Sequence, residues 1–391
     1  MSTENSKTTS IPWRSSTVQV VLLTTFIAPF SIALISPGLP VFRDTFALTD
    51  PTASLLLVAI VVPGIFLSPL VGLLTDQLGR RRVLLSSLVL WSLAGGGITI
   101  GPPFWLVIVL RLVQGVALAG LGITTITLIS DVFEGVQRNA VFGVNTAILS
   151  VGAAAFPVLG GALVAVSWNA PFAMFLLGLP VALFALIVLD EPVGEREKGS
   201  SIYVRRVISA LSAREALVFY GSALLIDLLL FGAVFTALPF LLEANFGLSA
   251  LFIGLVLTVG EVASIVAATQ NGRLSRQYTD SEIIAIGFLA TALGLGGVWF
   301  ATSPVSIAIA TVGFGAGWGL TLPSIDAGVS DLVRTQYRAG ALSLRGSASS
   351  IGRTGGPIAF TTLSLQFGYR SLLLSAGLIA LGFGVLVFAL E

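Results

Sequence analysis

Residues 72–82 read Gly72-Leu-Leu-Thr-Asp76-Gln-Leu-Gly79-Arg80-Arg81-Arg82, and they decide how the sequence is interpreted. They form a short polar interruption between two apolar stretches, at about 51–75 and 83–101. A helix that spans a bilayer needs roughly 20 mostly apolar residues, and both stretches approach that length. Because loops rich in arginine stay on the cytoplasmic side of a membrane, the sequence predicts two transmembrane helices joined by a cytoplasmic loop.

The composition of the chain extends this interpretation to its whole length. Of the 391 residues, 55% are hydrophobic and 10% are charged, and the mean hydropathy is +0.99. Soluble domains carry about 25% charged residues, so we expect a lipid bilayer to be the solvent. The absence of cysteine and histidine excludes disulfides, haem ligation and imidazole metal sites. We expect no catalytic residues, no metal, no cofactor and no nucleic-acid partner, and no nucleotide-binding loop supports ATP-driven transport.

Apolar length, glycine and proline breaks, and charges together predict twelve transmembrane helices. Their approximate ranges are 17–40, 51–75, 83–101, 103–130, 139–166, 169–189, 215–242, 249–272, 282–302, 304–329, 339–366 and 369–390. The sequence therefore predicts an all-α membrane protein with an N-terminal tail (1–16), a six-helix bundle (17–190), a linker (191–214) and a second six-helix bundle (215–391).

The basic residues outside the predicted helices test this map. Fifteen fall on the side that holds both termini, and two, Arg43 and Arg370, fall on the other side. The positive-inside rule then predicts a multi-pass protein of the cell membrane with both termini in the cytoplasm.

An internal repeat appears when the sequence is shifted by 200 residues. The shift superposes Ser130, Asp131 and Arg138 on Ser330, Asp331 and Arg338. It also superposes Gly152 and Pro157 on Gly352 and Pro357. Because each repeat holds an even number of helices, the two halves share one orientation and are parallel repeats.

Three elements carry a resemblance to a known family. The loop at 72–82 resembles the G-x-L-a-D-r-x-G-R-k/r-x signature of the major facilitator superfamily, and Arg111-Leu-Val-Gln114-Gly115 resembles its R-x-x-q-G element. The run from Gly152 to Gly161 resembles the G-x-x-x-G-P-x-x-G-G element of the twelve-helix drug:proton antiporters, with Phe156 in place of its second glycine. The chain also departs from many of those antiporters because its first helix has no acidic residue.

The resemblance implies a cytoplasmic gate. It places Asp76 beside the start of helix 11, where it would latch the halves together in one state and release them in the other. The repeated pairs Asp131/Arg138 and Asp331/Arg338 are interpreted as turn salt bridges with a structural role first and a gating role second. The full predicted gate motif is Gly72, Asp76, Gly79, Arg80, Arg81, Asp131, Arg138, Asp331 and Arg338.

Six ionisable residues lie within the predicted helices: Arg111, Asp227, Glu261, Asp326, Arg345 and Arg353. Charged groups in the membrane are costly and mark the interior of a bundle or a wet cavity. Equal depths predict the pairs Glu261–Arg353 and Asp326–Arg345, with Arg111, Arg353, Arg345 and Asp326 as charge partners. We interpret Asp227 and Glu261 as candidate proton carriers, against the alternative that they only neutralise arginines.

Two further groups concern the substrate path. The small-residue seam Gly152, Pro157, Gly160 and Gly161 allows close helix packing, and the resemblance adds control of cavity leakage. Aromatic residues on helices 1, 7 and 10, which line the cavity in the superfamily, suit a lipophilic solute. The substrate-cavity candidates are Phe26, Phe30, Gln114, Phe231, Phe235, Phe314 and Trp318.

These features predict a secondary transporter, not an enzyme. It would work as a monomer by alternating access, exporting hydrophobic or drug-like small molecules with the proton gradient as driving force. One alternative is a symporter or facilitator for a small metabolite, and sodium coupling stays open. An alternative of another class is a membrane sensor that transports nothing.

Overall fold

A computed structural model of the chain describes residues 11–191, 213–333 and 338–391. In that part the chain is helical and contains no β-strand. Twelve helical segments correspond to the twelve predicted ones. Their bounds are Ser16–Thr45 (α1), Asp50–Leu78 (α2), Arg80–Ile100 (α3), Phe104–Val132 (α4), Gly135–Val166 (α5), Ala170–Val188 (α6), Leu217–Phe246 (α7), Ala250–Leu274 (α8), Asp280–Phe300 (α9), Pro304–Asp331 (α10), Arg338–Phe367 (α11) and Tyr369–Ala389 (α12).

Eleven of these segments, all but α11, are long and apolar enough to cross a membrane. The remaining segment, α11, is also long, with 30 residues, but arginine, serine and glycine make it less apolar. The predicted tail (1–16) and linker (191–214) lie mostly outside the described residues.

The first segment is not the continuous helix that the sequence predicted. Its regular turns end at Ile27, pass through 3₁₀ turns at Ala28–Ser31 and Ser36–Gly38, and resume at Leu39–Thr45. Pro29 and Pro37 lack the N–H groups that would continue the helical ladder. Such a break is tolerated in a membrane only where other groups satisfy the freed backbone.

Two π-helical stretches flank the regular turns at Ser222–Leu229 in the seventh segment. One, Ala216–Gly221, overlaps the start of α7, and the other, Leu230–Ala237, lies within it. The Thr236 hydroxyl donates to the carbonyl oxygen of Phe231, 2.7 Å away. π-Helical turns are rare and often lie at functional sites. Here they bracket the buried Asp227.

The repeat seen in the sequence is also a repeat of contacts. A Cβ on Gly152 would lie 3.0 Å from the carbonyl oxygen of Phe26, so α5 packs against α1 with no room for a side chain. A Cβ on Gly352 would overlap the carbonyl oxygen of Leu224, and α11 packs against α7 in the same way. The two halves are therefore built alike.

The two ends of the molecule differ in how the halves meet. We call the end that holds the start of α1 and the end of α12 the terminal face, and the opposite end the far face. Hydrogen bonds join the halves toward the far face: Ser36 Oγ to Phe235 O (2.5 Å), Thr258 Oγ1 to Ala154 O (2.7 Å) and Tyr369 Oη to Asp50 Oδ2 (2.6 Å).

Toward the terminal face, α5, α8 and α11 each carry a glycine that faces open space. A Cβ added to Gly143, Gly272 or Gly346 would meet nothing within 4 Å. The hydrogen bonds between the halves thus close the far face.

Candidate substrate and coupling site

Asp227 is the most deeply buried carboxylate of the candidate site. It lies ten residues after Leu217, roughly 15 Å from the start of α7, and its exposure is 0%. Its Oδ1 lies 3.3 Å from Nε of Arg353, yet neither carboxylate oxygen has a hydrogen-bond partner in the described part of the chain. The Arg353 side chain is 36% exposed, and its guanidinium lies 5.3 Å from the centre of the Phe231 ring. A buried acid thus faces one loosely held, accessible cation.

The predicted pair Glu261–Arg353 is wrong, because Arg353 pairs with Asp227 instead. The prediction rested on the depth of each residue in the membrane, and depth does not show which neighbouring helix a side chain of α11 faces. Gly352 and Gly356 bring α11 so close to α7 that a Cβ on either would overlap a carbonyl oxygen of Leu224 or Leu228. This contact turns residue 353 toward α7 and away from α8.

Glu261 lies instead in a small pocket inside the second half. The pocket is lined by α7, α8 and α10, with Leu230 and Val234 on one side and Phe314 and Trp318 on the other. The indole Nε1 of Trp318 is buried and has no hydrogen-bond partner among the described residues. The pocket places a carboxylate, an open donor and two aromatic rings around a volume of about 10 Å³, which has room for about one water molecule.

The predicted pair Asp326–Arg345 is present, with 3.1 Å between Oδ1 and Nε. It joins α10 to α11 nearer the terminal face than Asp227. The Asp326 side chain is 48% exposed and that of Arg345 is 15% exposed. Surface-accessible ion pairs contribute little stability, so this pair is less critical than the buried one.

Arg111 pairs with no carboxylate of the described residues, which corrects its assignment as a charge partner. It is fully buried, and its guanidinium donates to Leu56 O (2.9 Å), Ser31 O (2.6 Å) and Gln114 Oε1 (3.1 Å). Gly115 makes this possible, because a Cβ there would meet Ile60 O and Pro63 and hold α4 away from α2. Arg111 ties α1, α2 and α4 together and satisfies the carbonyl at the break in α1.

The cavity candidates divide into two groups. Gln114 is buried and donates to Trp91 O, and Phe30 is buried among Trp91, Phe156 and Phe175, so both belong to the core of the first half and not to a cavity. Phe26 is 37% exposed and packs edge-on against Phe156. The others lie in the second half: Phe231 and Phe235 are buried on α7, and Phe314 and Trp318 line the Glu261 pocket.

The gate loop is held within its own half by contacts that the sequence did not predict. Arg80 Nε donates to Asp131 Oδ2 at 2.8 Å, so Asp131 does not pair with Arg138 as predicted. Arg81 Nη2 donates to Leu186 O at 2.6 Å. The Asp331/Arg338 pair and the Asp76 latch stay predictions, because the side chains of Asp76 and Arg338 and the surroundings of Gly72 lie outside the described part.

Glu191 caps the first turn of α3 and was missed in the sequence. Its two carboxylate oxygens accept from the backbone N–H groups of Arg80 (2.5 Å) and Arg81 (3.0 Å). Gly79, at φ 96°, leaves room for this carboxylate, which a Cβ would overlap. A negative charge at the N-terminus of a helix is favourable. Only an acidic residue just after helix 6 hinted at this role.

We expect Glu191→Gln to loosen the first turn of α3. The glutamine side chain keeps one oxygen that can accept from a backbone N–H group. Its NH₂ group replaces the other oxygen and cannot accept, so one of the two N–H groups loses its partner, and the negative charge is removed. A hydrogen bond to a charged group is worth about 1.5 kcal/mol or more, so amide hydrogen exchange at Arg80 and Arg81 should accelerate about tenfold. Hydrogen-exchange mass spectrometry measures this. The exposed Glu134, changed to Gln, is the control, and equal exchange in both variants contradicts the cap.

The predicted antiporter-like seam lies where α5 meets α8 across the two halves. A Cβ on Gly161 would overlap Ala250 O, and one on Gly254 would overlap Pro157 O. Gly160 faces α1 instead, against Leu34 O. Small residues thus allow backbone contact between halves at the far face, while Gly152 and Gly160 pack within the first half.

We expect Gly161→Leu to force the far face open, because its side chain overlaps backbone that cannot yield locally. Overpacking costs about 1–3 kcal/mol, which lowers the far-face-closed population roughly 5- to 150-fold. Spin labels on Thr45→Cys and Asn245→Cys, both exposed, report the separation by double electron–electron resonance in this cysteine-free chain. Gly143→Leu, in open space, is the matched control. An unchanged distance in Gly161→Leu contradicts the packing account.

A family model described as "Major Facilitator Superfamily" matches residues 21–244 and 220–391. The chain belongs to the Major Facilitator Superfamily. It is a membrane transporter and not an enzyme. Its all-helical fold, with twelve segments in two similar halves, confirms the predicted fold class.

The relatives of this Major Facilitator Superfamily member include antibiotic-resistance proteins. The class C tetracycline resistance protein of Escherichia coli is 29% identical over 357 residues, or 88% of each chain. The class B protein of Escherichia coli is 26% identical over 351 residues, 84% of this chain and 83% of the other. The quinolone resistance protein NorA of Staphylococcus aureus (strain MRSA252) is 27% identical over 215 residues, 54% of each chain.

Solved structures share the superfamily fold. A bacterial homologue of the human lysosomal transporter Spinster, inward-facing and occupied, superposes with a TM-score of 0.82 at 15% identity, covering 98% of each chain. A D-xylose–proton symporter superposes with a TM-score of 0.78 at 16% identity, covering 95% of this chain and 97% of the other. At these identities the likeness shows the fold alone.

Proposed function

We propose that this transporter exports hydrophobic or drug-like small molecules in exchange for protons. The observation that carries the proposal is the Asp227–Arg353 pair, in which a fully buried acid, with no hydrogen-bond partner among the described residues, lies 3.3 Å from an accessible guanidinium. Burial away from water disfavours a charged carboxylate unless it is paired. Any change in the position of Arg353 between states therefore changes the charge that compensates Asp227.

The surroundings of Glu261 support the substrate class. The gap beside it has a volume of about 10 Å³, roughly that of one water molecule, so a substrate could bind there only after α7, α8 and α10 move apart. Its lining is apolar and aromatic except for Glu261, the Trp318 indole, Ser264 and Thr311, a composition that suits lipophilic molecules with a few polar groups. Glu261 is the second candidate proton carrier, and the similarity to tetracycline and quinolone resistance proteins supports a drug-like substrate.

The orientation completes the proposal. Arg80, Arg81, Arg82 and Arg138 lie toward the terminal face, and Arg43 and Arg370 toward the far face. This asymmetry supports a terminal face in the cytoplasm and a chain in the plasma membrane. The structure then corresponds to an inward-facing state, and export proceeds by rocking of the halves about the far-face seam.

One observation favours a second candidate, symport of an anionic metabolite. Arg353 is accessible while Asp227 is not. An anion bound to Arg353 would remove the counter-charge of Asp227 and favour its protonation, so solute and proton would travel in the same direction. The two candidates differ in the direction of proton movement.

Purified protein in vesicles that enclose a pH-sensitive dye separates these functions. We would add lipophilic cations, neutral drugs and small organic acids one at a time, without an imposed gradient. Exchange predicts that a solute entering the vesicles carries protons out, and symport predicts that it carries them in. Solute uptake without proton movement contradicts both forms of proton coupling.

A further inference from the structure

A ring of side chains at the far face lies outside the candidate site and joins the two halves. Arg43, at the end of α1, is its centre. The guanidinium contacts Asp44 (2.8 Å) and Asp50 (3.2 Å) within the first half and Glu243, in α7 of the second half, at 3.3 Å. Arg43 and Glu243 are one repeat length apart in sequence, so equivalent positions of the two halves meet each other.

A second link returns from Asp50 to the second half. Asp50 Oδ2 accepts from the hydroxyl of Tyr369, at the start of α12, over 2.6 Å. The Tyr369 ring stacks on Phe240, with 6.0 Å between ring centres and 14° between planes. Phe240 in turn lies beneath the Arg43 guanidinium, 5.7 Å away. The contacts thus form a closed ring. Three of them join the two halves: Arg43 to Glu243, Arg43 to Phe240 and Asp50 to Tyr369.

The ring is sheltered enough to act as a unit. The side chains of Arg43, Asp50 and Glu243 are 21%, 18% and 33% exposed, and Phe240 is fully buried. A guanidinium that contacts three carboxylates through its three nitrogens and also an aromatic face gains more than an isolated surface pair. An opening of the far face must separate Arg43 from Glu243 and Asp50 from Tyr369.

We propose that Arg43, Asp50, Phe240, Glu243 and Tyr369 form the latch of the far face, which stabilises the state open to the terminal face and breaks in each transport cycle. The latch requires only that the halves move apart at this face. It is independent of the substrate and the coupling ion proposed above.

The test compares Glu243→Gln with Asp44→Asn. Each variant removes one carboxylate from Arg43, but only Glu243 lies across the interface. We would measure both in lipid nanodiscs with the Thr45→Cys/Asn245→Cys spin pair. A second pair, Val136→Cys/Gln277→Cys at exposed terminal-face positions, must shorten when the far-face pair lengthens, which separates a change of state from loss of fold.

We expect Glu243→Gln to raise the ratio of far-face-open to far-face-closed molecules roughly two- to fivefold, and Tyr369→Phe to act similarly. Together they should raise it roughly four- to 25-fold, while Asp44→Asn changes it less than about twofold. An unchanged ratio in the double variant overturns the latch, as does an equal shift in Asp44→Asn.

Discussion

Replacement of Asp227 by asparagine is expected to abolish solute-coupled proton movement. An amide at this position cannot carry a proton, and a positioned proton acceptor is worth about 10²–10⁴ in rate, so the coupled flux should fall at least about a hundredfold. Exchange of labelled solute between the two sides needs no net proton transfer and should persist. Proton flux and solute counterflow, measured in the same vesicles, separate the two effects.

The control for this prediction is Asp326→Asn, which breaks the second, accessible ion pair. We expect it to lower coupled flux only a few-fold. Asp227→Asn leaves Arg353 without its partner, but the Arg353 side chain is 36% exposed and stays in contact with water, so we expect the variant to fold. The double variant Asp227→Asn with Arg353→Gln removes the unpaired cation altogether and should still lack coupling. Coupled flux that survives in the folded double variant rules out Asp227 as the carrier.

Replacement of Arg111 is expected to produce the largest loss of stability. Arg111→Met leaves Leu56 O, Ser31 O and Gln114 Oε1 without their donor, and hydrogen bonds to charged groups are worth about 1.5–3 kcal/mol each. We expect the free energy of unfolding to fall by about 3 kcal/mol or more. Arg111→Lys should recover only part, because an ammonium lacks the planar fork that reaches three acceptors.

Denaturation in detergent, followed by tryptophan fluorescence, measures this loss. The exposed Arg82, changed to Lys, is the matched control, with an expected change within about 0.5 kcal/mol. Full stability in Arg111→Met would mean that α1, α2 and α4 are held together without the guanidinium.

Much of the fold could be predicted because hydropathy and charge act along the sequence. The segment α11 is the least apolar of the twelve, and it was placed from glycine and proline breaks and from charges as well as from apolar length. The 200-residue shift, which aligned Gly352 and Pro357 with residues of helix 5, agreed with that placement. The break in α1 comes from Pro29 and Pro37, which act locally. The sequence nevertheless predicted a continuous helix, because hydropathy is high along the whole stretch and does not register such a break.

The candidate site was less predictable because its pairs depend on helix rotation. Equal depth was sufficient for Asp326–Arg345 but not for Arg353, whose direction is fixed by the glycines of α11 against α7. Glu191 and the Arg43 ring are loop contacts that form only after helices from different parts of the chain have packed. The repeat relation between Arg43 and Glu243 was visible in the sequence, but nothing there showed that equivalent positions meet.

Proton-driven accumulation of a solute tests the central claim most directly. Vesicles containing the protein would be given an acidic interior and an equal concentration of a lipophilic probe on both sides. The account predicts that the probe accumulates inside as protons leave, that nigericin abolishes this, and that Asp227→Asn vesicles only equilibrate. Equal concentrations on both sides at every pH gradient, in vesicles that still exchange the probe, would contradict it.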